Sequence, residues 1–132
     1  MLDKKQANVI FLSYGDNSFH VNKAGVLDRH LLYAKQFNSI LIFHLTKNKN
    51  LEILKFNNLT IIPVYGKNYI FSYFSFLSKY FIKKKFKNYQ IVTTQDPFMT
   101  GFIGYLFKIF KGKKLHIQNH SAYLNNQLWI NE

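Results

Sequence analysis

Cysteine is absent from this chain of 132 residues. Its absence excludes a disulfide framework, a thiolate nucleophile and a zinc site built on thiolates. A chain without cysteine is typical of a reducing compartment, so we expect a cytosolic protein.

Long hydrophobic runs are also missing. At the N-terminus only about seven apolar residues occur before polar residues return, which is too few for a signal peptide or a membrane span. We therefore expect a cytoplasmic protein, one that contacts a membrane only peripherally, at its inner face.

Acidic residues are scarce. Six Asp and Glu stand against 18 Lys and Arg, a net charge of +12, which favours anionic partners: nucleic acid, phosphorylated sugars or an acidic membrane surface. A low-GC genome would give a similar Lys and Asn bias, so charge alone does not choose among them. The hydrophobic content of 48% excludes a disordered polymer. The length predicts one domain, residues 1–132, with a substantial core.

Strand-like and helix-like segments alternate along the first half of the chain. Apolar runs typical of buried parallel strands occupy residues 7–13, 39–45 and 59–65. The amphipathic pattern of residues 25–37 predicts a helix between the first two strands. A polar stretch with an apolar island at Leu51, Ile53 and Leu54 precedes the third strand and predicts a turn or a short strand. Pro63 cannot donate to a ladder, which favours a sheet edge or strand end there.

Residues 91–120 have the pattern of a complete βαβ unit. A β-branched strand at 91–94 precedes a helix that we expect to begin at Pro97, with Asp96 as its N-cap. Gly101 and Gly104 give that helix a flat surface on which it can approach a sheet. Residues 115–120 alternate in polarity and predict the next strand.

The segment 69–87 is aromatic for three turns and then basic. We expect a helix, whose plainer interpretation is a core helix with a solvated basic end. The alternative is a membrane-surface segment that places its rings at headgroup depth. In that case the lysines that meet anionic lipid are Lys83, Lys84, Lys85 and Lys87. Nucleic-acid binding is less favoured, because the chain has no recognised nucleic-acid-binding module.

The order of elements predicts an α/β protein, a Rossmann-like three-layer α/β/α arrangement with a mainly parallel sheet. Ligands bind such sheets at the carboxyl ends of the strands. The loop after the first strand matches neither GxGxxG nor GxxxxGK[ST], so an ordinary turn is the alternative to a binding loop there. Candidate substrate-binding residues at this edge are Gly15, Asp16, Asn17, Gln95, Asp96 and Asn119.

The histidines do not predict a metal site. His116 and His120 lie about 13 Å apart if they share a strand, which is too far to share one ion, and His20, His30 and His44 show no ligand spacing. His120 would sit at the strand end and could contact a sugar or a phosphate, with a structural histidine as the alternative. Asp96 is most simply a helix cap, which leaves Gln95 as the freer ligand candidate.

The run TQDPFMTGFIGYLFKIFKGKKLHIQNH, with the later AYLNNQLW, resembles the N-terminal half of the retaining GT-B glycosyltransferases called group 1 or family 4. GVLDRHLLYAK, residues 25–35, is loosely similar to a helix start of that family. The matching positions are Thr94, Gln95, Asp96, Pro97, Phe98, Gly101, Ile103, Gly104, Tyr105, Leu106, Ile117, Gln118, His120, Tyr123 and Trp129.

The resemblance implies an acceptor-side domain that faces a nucleotide-sugar-binding domain across a cleft. By position, His120 would be the catalytic residue beside the transferred sugar, Gly15 would line the donor phosphate side, and Gln95 and Asp96 would approach the acceptor. The substrates would be a nucleotide sugar and a glycan or lipid-linked acceptor, with no metal or other cofactor. We expect the chain to lack the C-terminal donor-binding domain or to work with a partner chain, and to be inactive alone.

Two other functions remain open. One is a non-enzymatic basic domain that docks on anionic membranes through residues 69–87. The other is a nucleotide-binding signalling domain of flavodoxin-like topology, which would need an acidic cluster or a phosphate loop after the first strand, where only Asp16 is available.

Overall fold

The computed structural model describes residues 7–15, 17–83 and 86–118. Over these residues the chain forms six strands and three helices. Their bounds are β1 (Asn8–Tyr14), α1 (Val26–Ala34), β2 (Ser39–Thr46), β3 (Leu54–Phe56), β4 (Leu59–Tyr65), α2 (Tyr69–Phe76), β5 (Ile91–Thr94), α3 (Met99–Lys111) and β6 (Lys114–Ile117). A 3-10 turn, Lys23–Gly25, leads into α1, and a π-helical turn, Leu77–Phe81, extends α2.

The six strands form one sheet in the order β3-β4-β2-β1-β5-β6. Strands β4, β2, β1, β5 and β6 run parallel, and the short edge strand β3 runs antiparallel to β4. The chain builds outwards from β1 through β2 and β4, and then crosses to the other side of β1 to add β5 and β6. The protein is therefore an α/β protein with a six-stranded, mainly parallel sheet, and its strand order is consistent with a Rossmann-like fold.

The sheet carries a separate apolar cluster on each face. Because side chains alternate along a strand, Ile10 of β1 enters one cluster and Phe11 enters the other. The first cluster includes Phe76 and Phe107, from α2 and α3. The second includes Ala34 of α1. Each large apolar side chain that is fully buried contributes about 1.5–3 kcal/mol, so both faces of β1 stabilise the fold.

Side chains cap the starts of α1 and α2. The first N–H groups of a helix have no acceptor within the helix. Asn22 Oδ1 accepts a hydrogen bond from the N–H of Leu27 at 3.0 Å, and Asn68 Oδ1 accepts one from the N–H of Phe71 at 3.0 Å. The helix predicted at 25–37 is present but shorter, because the chain turns after Ala34 to enter β2.

The predicted start of α3 is corrected by two residues. Asp96 Oδ1 accepts hydrogen bonds from the N–H groups of Phe98 and Met99, at 2.8 Å and 2.6 Å. Asp96 therefore accepts hydrogen bonds from N–H groups at the start of the helix, as a capping residue does, but the helix begins at Met99 rather than at Pro97 and Phe98 occupies the N-cap position. Residues 97 and 98 instead form the turn that brings these N–H groups onto the carboxylate.

Glycines allow α3 to lie directly on the sheet. A Cβ on Gly104 would come within 2.5 Å of Leu115 Cδ1 and 2.6 Å of Thr94 Cγ2. A Cβ on Gly101 would come within 2.8 Å of the Asp96 carbonyl oxygen. The flat helix surface predicted from these two glycines is therefore confirmed.

Two further elements are shorter than predicted. In the segment 69–87, α2 ends at Phe76 and the π-helical turn ends at Phe81, so Lys83 and Lys87 lie beyond the helix and are exposed. The last described strand is Lys114–Ile117 rather than 115–120, because its partner β5 ends at Thr94, which pairs with Ile117. Of the helices in the described part of the chain, none has both the length and the apolar character needed to cross a bilayer.

Candidate functional site

The carboxyl ends of β1, β2 and β5 meet at one edge of the sheet. The Gly15 N–H donates a hydrogen bond to the Leu45 carbonyl at 3.0 Å, and the Gln95 N–H donates one to the Leu12 carbonyl at 3.0 Å. Strands β1 and β5 are neighbours here, and the chain leaves β1 towards β2 on the opposite side. Open α/β sheets bind their ligands in the crevice outside such a reversal of strand order.

A cavity of about 230 Å³ opens at this edge, lined by the strand ends, the loop after β1, and α1. Phe19 and Tyr33 contribute apolar surface to its wall. Its polar lining residues include Ser13, Ser18, Arg29, His30, His44, Gln95 and Gln118. Small-molecule pockets are commonly larger, about 300–1,000 Å³, so this cavity has room only for a small ligand or for part of a larger one.

A buried pair, Ser13 and His44, forms the floor of the edge. The two residues are register partners on β1 and β2. Ser13 Oγ and His44 Nδ1 are hydrogen-bonded at 2.8 Å, and the side chains are 3% and 0% exposed. The His44 ring also meets the Phe19 ring edge to face, with centroids 5.1 Å apart. These contacts fix the buried imidazole against the lining of the cavity.

Gln95 links the ends of β1 and β5. Its Oε1 accepts a hydrogen bond from the Tyr14 N–H at 3.0 Å. Because the oxygen is engaged by the backbone, the amide nitrogen is the group that Gln95 offers to a ligand in the cavity. The structure therefore places Gln95 at the sheet edge, as the sequence predicted, and fixes its orientation. Its contact with a ligand stays a prediction.

Gly15 and Asn17, predicted together, occupy different positions. A Cβ on Gly15 would lie 3.2 Å from both His44 Cε1 and Ser18 Oγ, so the glycine lets the loop pass closely over the imidazole. Asn17 is exposed and instead lines a shallow depression with Lys47 and Lys49. Of the two, Gly15 is the one in contact with residues of the cavity.

Asp96 lies at the same edge but its carboxylate is directed to α3. In addition to the two N–H groups of the first turn, Asp96 Oδ2 accepts a hydrogen bond from the buried Thr100 hydroxyl at 3.0 Å. Burial, together with the nearby Asp96 charge, raises the pKa of Tyr73 to about 12. These contacts occupy the Asp96 carboxylate at the start of α3. The ligand contact expected for Asp96 stays a prediction.

Several predicted residues lie outside the described part of the chain. At the sheet edge these are Asp16, Asn119 and His120, and in the basic segment they are Lys84 and Lys85. The roles assigned to them from the sequence stay predictions.

The sequence did not single out Ser13, His44 or Arg29 as site residues. Ser13 and His44 each lie near the end of an otherwise apolar strand, and aligning the ends of the two strands would have paired them. Arg29 follows Asp28 on α1. Both side chains are exposed, Asp28 accepts a hydrogen bond from Asn22 Nδ2 at 2.9 Å, and Arg29 lines the cavity.

A second cavity of about 360 Å³ adjoins the first. It is lined largely by apolar side chains of β1, β2, β5 and α1, and it shares Phe11, Tyr33 and Gln118 with the first cavity. The polar edge therefore continues into an apolar groove between α1 and the sheet. Within residues 7–15, 17–83 and 86–118, no three His, Asp or Glu side chains come together as metal ligands.

The chemistry of the edge is that of recognition. Hydroxyl, imidazole, amide and guanidinium groups surround a small space with an aromatic wall. Such groups hydrogen-bond to hydroxyl-rich or phosphorylated ligands. Comparison of the chain with protein-family models, with curated proteins and with solved structures finds no match.

Proposed function

We propose that the chain is a Rossmann-like three-layer α/β/α domain that forms the acceptor-side half of a retaining GT-B glycosyltransferase. The enzyme would transfer a sugar from a nucleotide-sugar donor to a glycan or lipid-linked acceptor at the cytoplasmic face of a membrane. The observation that carries the proposal is the cavity at the carboxyl edge of the sheet. Gln95 and the Ser13–His44 pair line it, and Gly15 lies against His44. The sequence resemblance of residues 94–129 to that family supports it.

The size and chemistry of the cavity fit the acceptor side of such an enzyme. An aromatic wall suits the apolar face of a sugar ring, and the polar groups suit its hydroxyls. A second lobe would supply most of the nucleotide-sugar contacts, as the resemblance implies. His120 remains the proposed residue beside the transferred sugar.

A titration with matched variants tests the proposed site. We expect free mono- and disaccharides, added to the isotope-labelled chain, to shift the NMR amide signals of Gly15 and Gln95. Gln95→Glu keeps an oxygen for the Tyr14 N–H but removes the amide donor, so it should weaken sugar binding about fivefold to tenfold, the loss of one hydrogen bond. Asn17→Asp makes the same chemical change outside the cavity and should alter binding less than about twofold.

Two outcomes would contradict the proposal. One is a panel of sugars that leaves the Gly15 and Gln95 signals unmoved. The other is an equal loss of binding in Gln95→Glu and Asn17→Asp. The chain alone should transfer no sugar from UDP-glucose or GDP-mannose, and steady turnover by these 132 residues would refute the need for a second lobe.

A further inference from the structure

Helices α2 and α3 lie side by side on one face of the sheet. The rings of Tyr73 and Phe102 stack with centroids 6.5 Å apart and planes inclined by 18°, and the rings of Phe76 and Phe107 lie 6.1 Å apart. The inward sides of both helices enter the same core cluster. Their outward sides therefore form one continuous surface.

That surface is apolar and exposed. We call it the α2–α3 outer surface and define it by six side chains, each between 51% and 81% exposed: Phe71, Phe74, Phe98, Phe102, Tyr105 and Ile109. The four that belong to α3 and its first turn recur at intervals of four, three and four residues, which places them on one side of the helix. Ile103 and Phe107, on the opposite side, are fully buried.

An outward helix face in a globular protein is normally polar. Here α3 is apolar on both sides, and α2 adds two more exposed rings. Exposed apolar residues scattered singly are common on protein surfaces, but a contiguous patch marks an interaction surface. The core does not require these rings, since the buried sides of both helices already fill it.

Charge indicates what covers the surface. From residue 69 to residue 111 the sequence has seven lysines and one acidic residue, Asp96. The Asp96 carboxylate is occupied by the N–H groups of the first turn of α3. Three exposed lysines lie near or beyond the C-terminal ends of the two helices: Lys79, Lys83 and Lys108. A second copy of the chain would bring like charges together, whereas an anionic surface would be attracted to all of them.

We propose that the α2–α3 outer surface docks on a bilayer that contains anionic phospholipids. Its rings lie at headgroup depth, and Lys79, Lys83 and Lys108 contact the headgroups. The docking surface includes α3, whereas the sequence pointed only to residues 69–87. Phe98 follows Gln95 by three residues, so docking brings the edge that carries the cavity close to the headgroups. This inference goes beyond the proposed sugar transfer and does not depend on it.

Sedimentation with vesicles tests the docking. One set of vesicles is phosphatidylcholine alone and the other is an equimolar mixture of phosphatidylcholine and phosphatidylglycerol. The wild-type chain should partition at least about tenfold more strongly onto the anionic set, because each lysine near the surface adds attraction. Phe98→Ser/Ile109→Ser should lower partitioning onto the anionic set by about tenfold or more, because it removes two apolar side chains that docking would bury in the bilayer.

A matched variant separates docking from a general loss of surface hydrophobicity. Val21 and Leu32 are 59% and 58% exposed and lie away from α2 and α3. Val21→Ser/Leu32→Ser should partition as the wild type does. Lys79→Gln/Lys108→Gln should lose most of the anionic preference while its partitioning onto neutral vesicles is unchanged. Circular dichroism confirms that each variant is folded.

Three results would overturn the docking. The wild-type chain could show no preference for anionic vesicles, or Phe98→Ser/Ile109→Ser could partition as the wild type does. The third is a dimer, seen by sedimentation velocity at micromolar concentration and lost in Phe98→Ser/Ile109→Ser, which would show that a second copy covers the surface. None of these results depends on sugar binding at the cavity, so the two proposals fail separately.

Discussion

At the scale of single residues, Gly104 sets the distance between α3 and the sheet. Its missing side chain makes room for Leu115 and Thr94, which would lie 2.5 Å and 2.6 Å from a Cβ. Gly104→Ala should therefore destabilise the protein by up to about 2 kcal/mol. Overpacking costs about 1–3 kcal/mol, and the gain in helix propensity, about 1 kcal/mol, offsets part of it. Urea denaturation measures the change in the free energy of unfolding.

A double-mutant cycle identifies the cause of that loss. Leu115→Ala removes the closest of the two contacts, so Gly104→Ala should cost less in the Leu115→Ala background than in the wild type. Additive losses, or a more stable Gly104→Ala protein, would show that the close approach of α3 does not limit the packing.

Some of these residue contacts could be predicted from local sequence and others could not. Gly101 and Gly104 predicted a close helix contact, because glycines three residues apart lie on the same side of a helix and leave that side flat. The Ser13–His44 pair was not predicted, since 31 residues separate its members and only the pairing of β1 with β2 brings them together. The position of Gln95 at the sheet edge was predicted, because Gln95 directly follows a strand whose end was clear in the sequence.

At the scale of elements, capping side chains and partner strands set the bounds of helices and strands, so some observed bounds differ from the predicted ones. Asp96 engages the N–H groups of Phe98 and Met99, so α3 begins later than the position of Pro97 suggests. Pro63 fits its predicted place: β4 is flanked by β3 only as far as Ile61, so beyond that residue β4 is itself the edge. Such details depend on the partner strand, which the sequence of one segment does not contain.

The contact between α2 and α3 predicts a dependence of stability on pH. Burial, and then the Asp96 charge, raises the pKa of Tyr73 to about 12, from a usual value near 10. The unfolded chain therefore releases this proton at a lower pH than the folded chain does. The stabilisation from neutral Tyr73 should be complete below about pH 10 and be lost as the pH rises towards about 12.

Comparison of the wild type with Tyr73→Phe isolates this effect. Burial also raises the pKa of Tyr89, and burial with a neighbouring lysine lowers the pKa of Lys113. Both groups are present in the two proteins, so they cancel in the difference. Denaturant unfolding between about pH 9 and pH 11.5 should show a smaller loss of stability in Tyr73→Phe. Parallel pH profiles would contradict the burial of the Tyr73 hydroxyl.

At the scale of the whole molecule, the alternation of segments was enough to predict the fold class. Apolar runs of strand length separated by amphipathic helices specify a parallel sheet with few alternatives. Only the α2 part of the α2–α3 outer surface was predicted from the sequence. The aromatic segment 69–87 was recognised, but its continuation on α3 depends on the two helices lying side by side, as the Tyr73–Phe102 contact shows.

The net charge of +12 predicts a stabilising effect of salt. Like charges repel one another more in the compact state than in the expanded chain, and added ions screen that repulsion. Raising NaCl from about 0.02 M to about 0.3 M should increase the free energy of unfolding by about 1 kcal/mol, or Tm by about 4 °C. Lys55→Gln/Lys114→Gln, which removes two exposed strand lysines, should be more stable at low salt and gain less from NaCl. A Tm that falls with NaCl would show instead that attractive ion pairs dominate the electrostatics, and calorimetry on both proteins distinguishes the two cases.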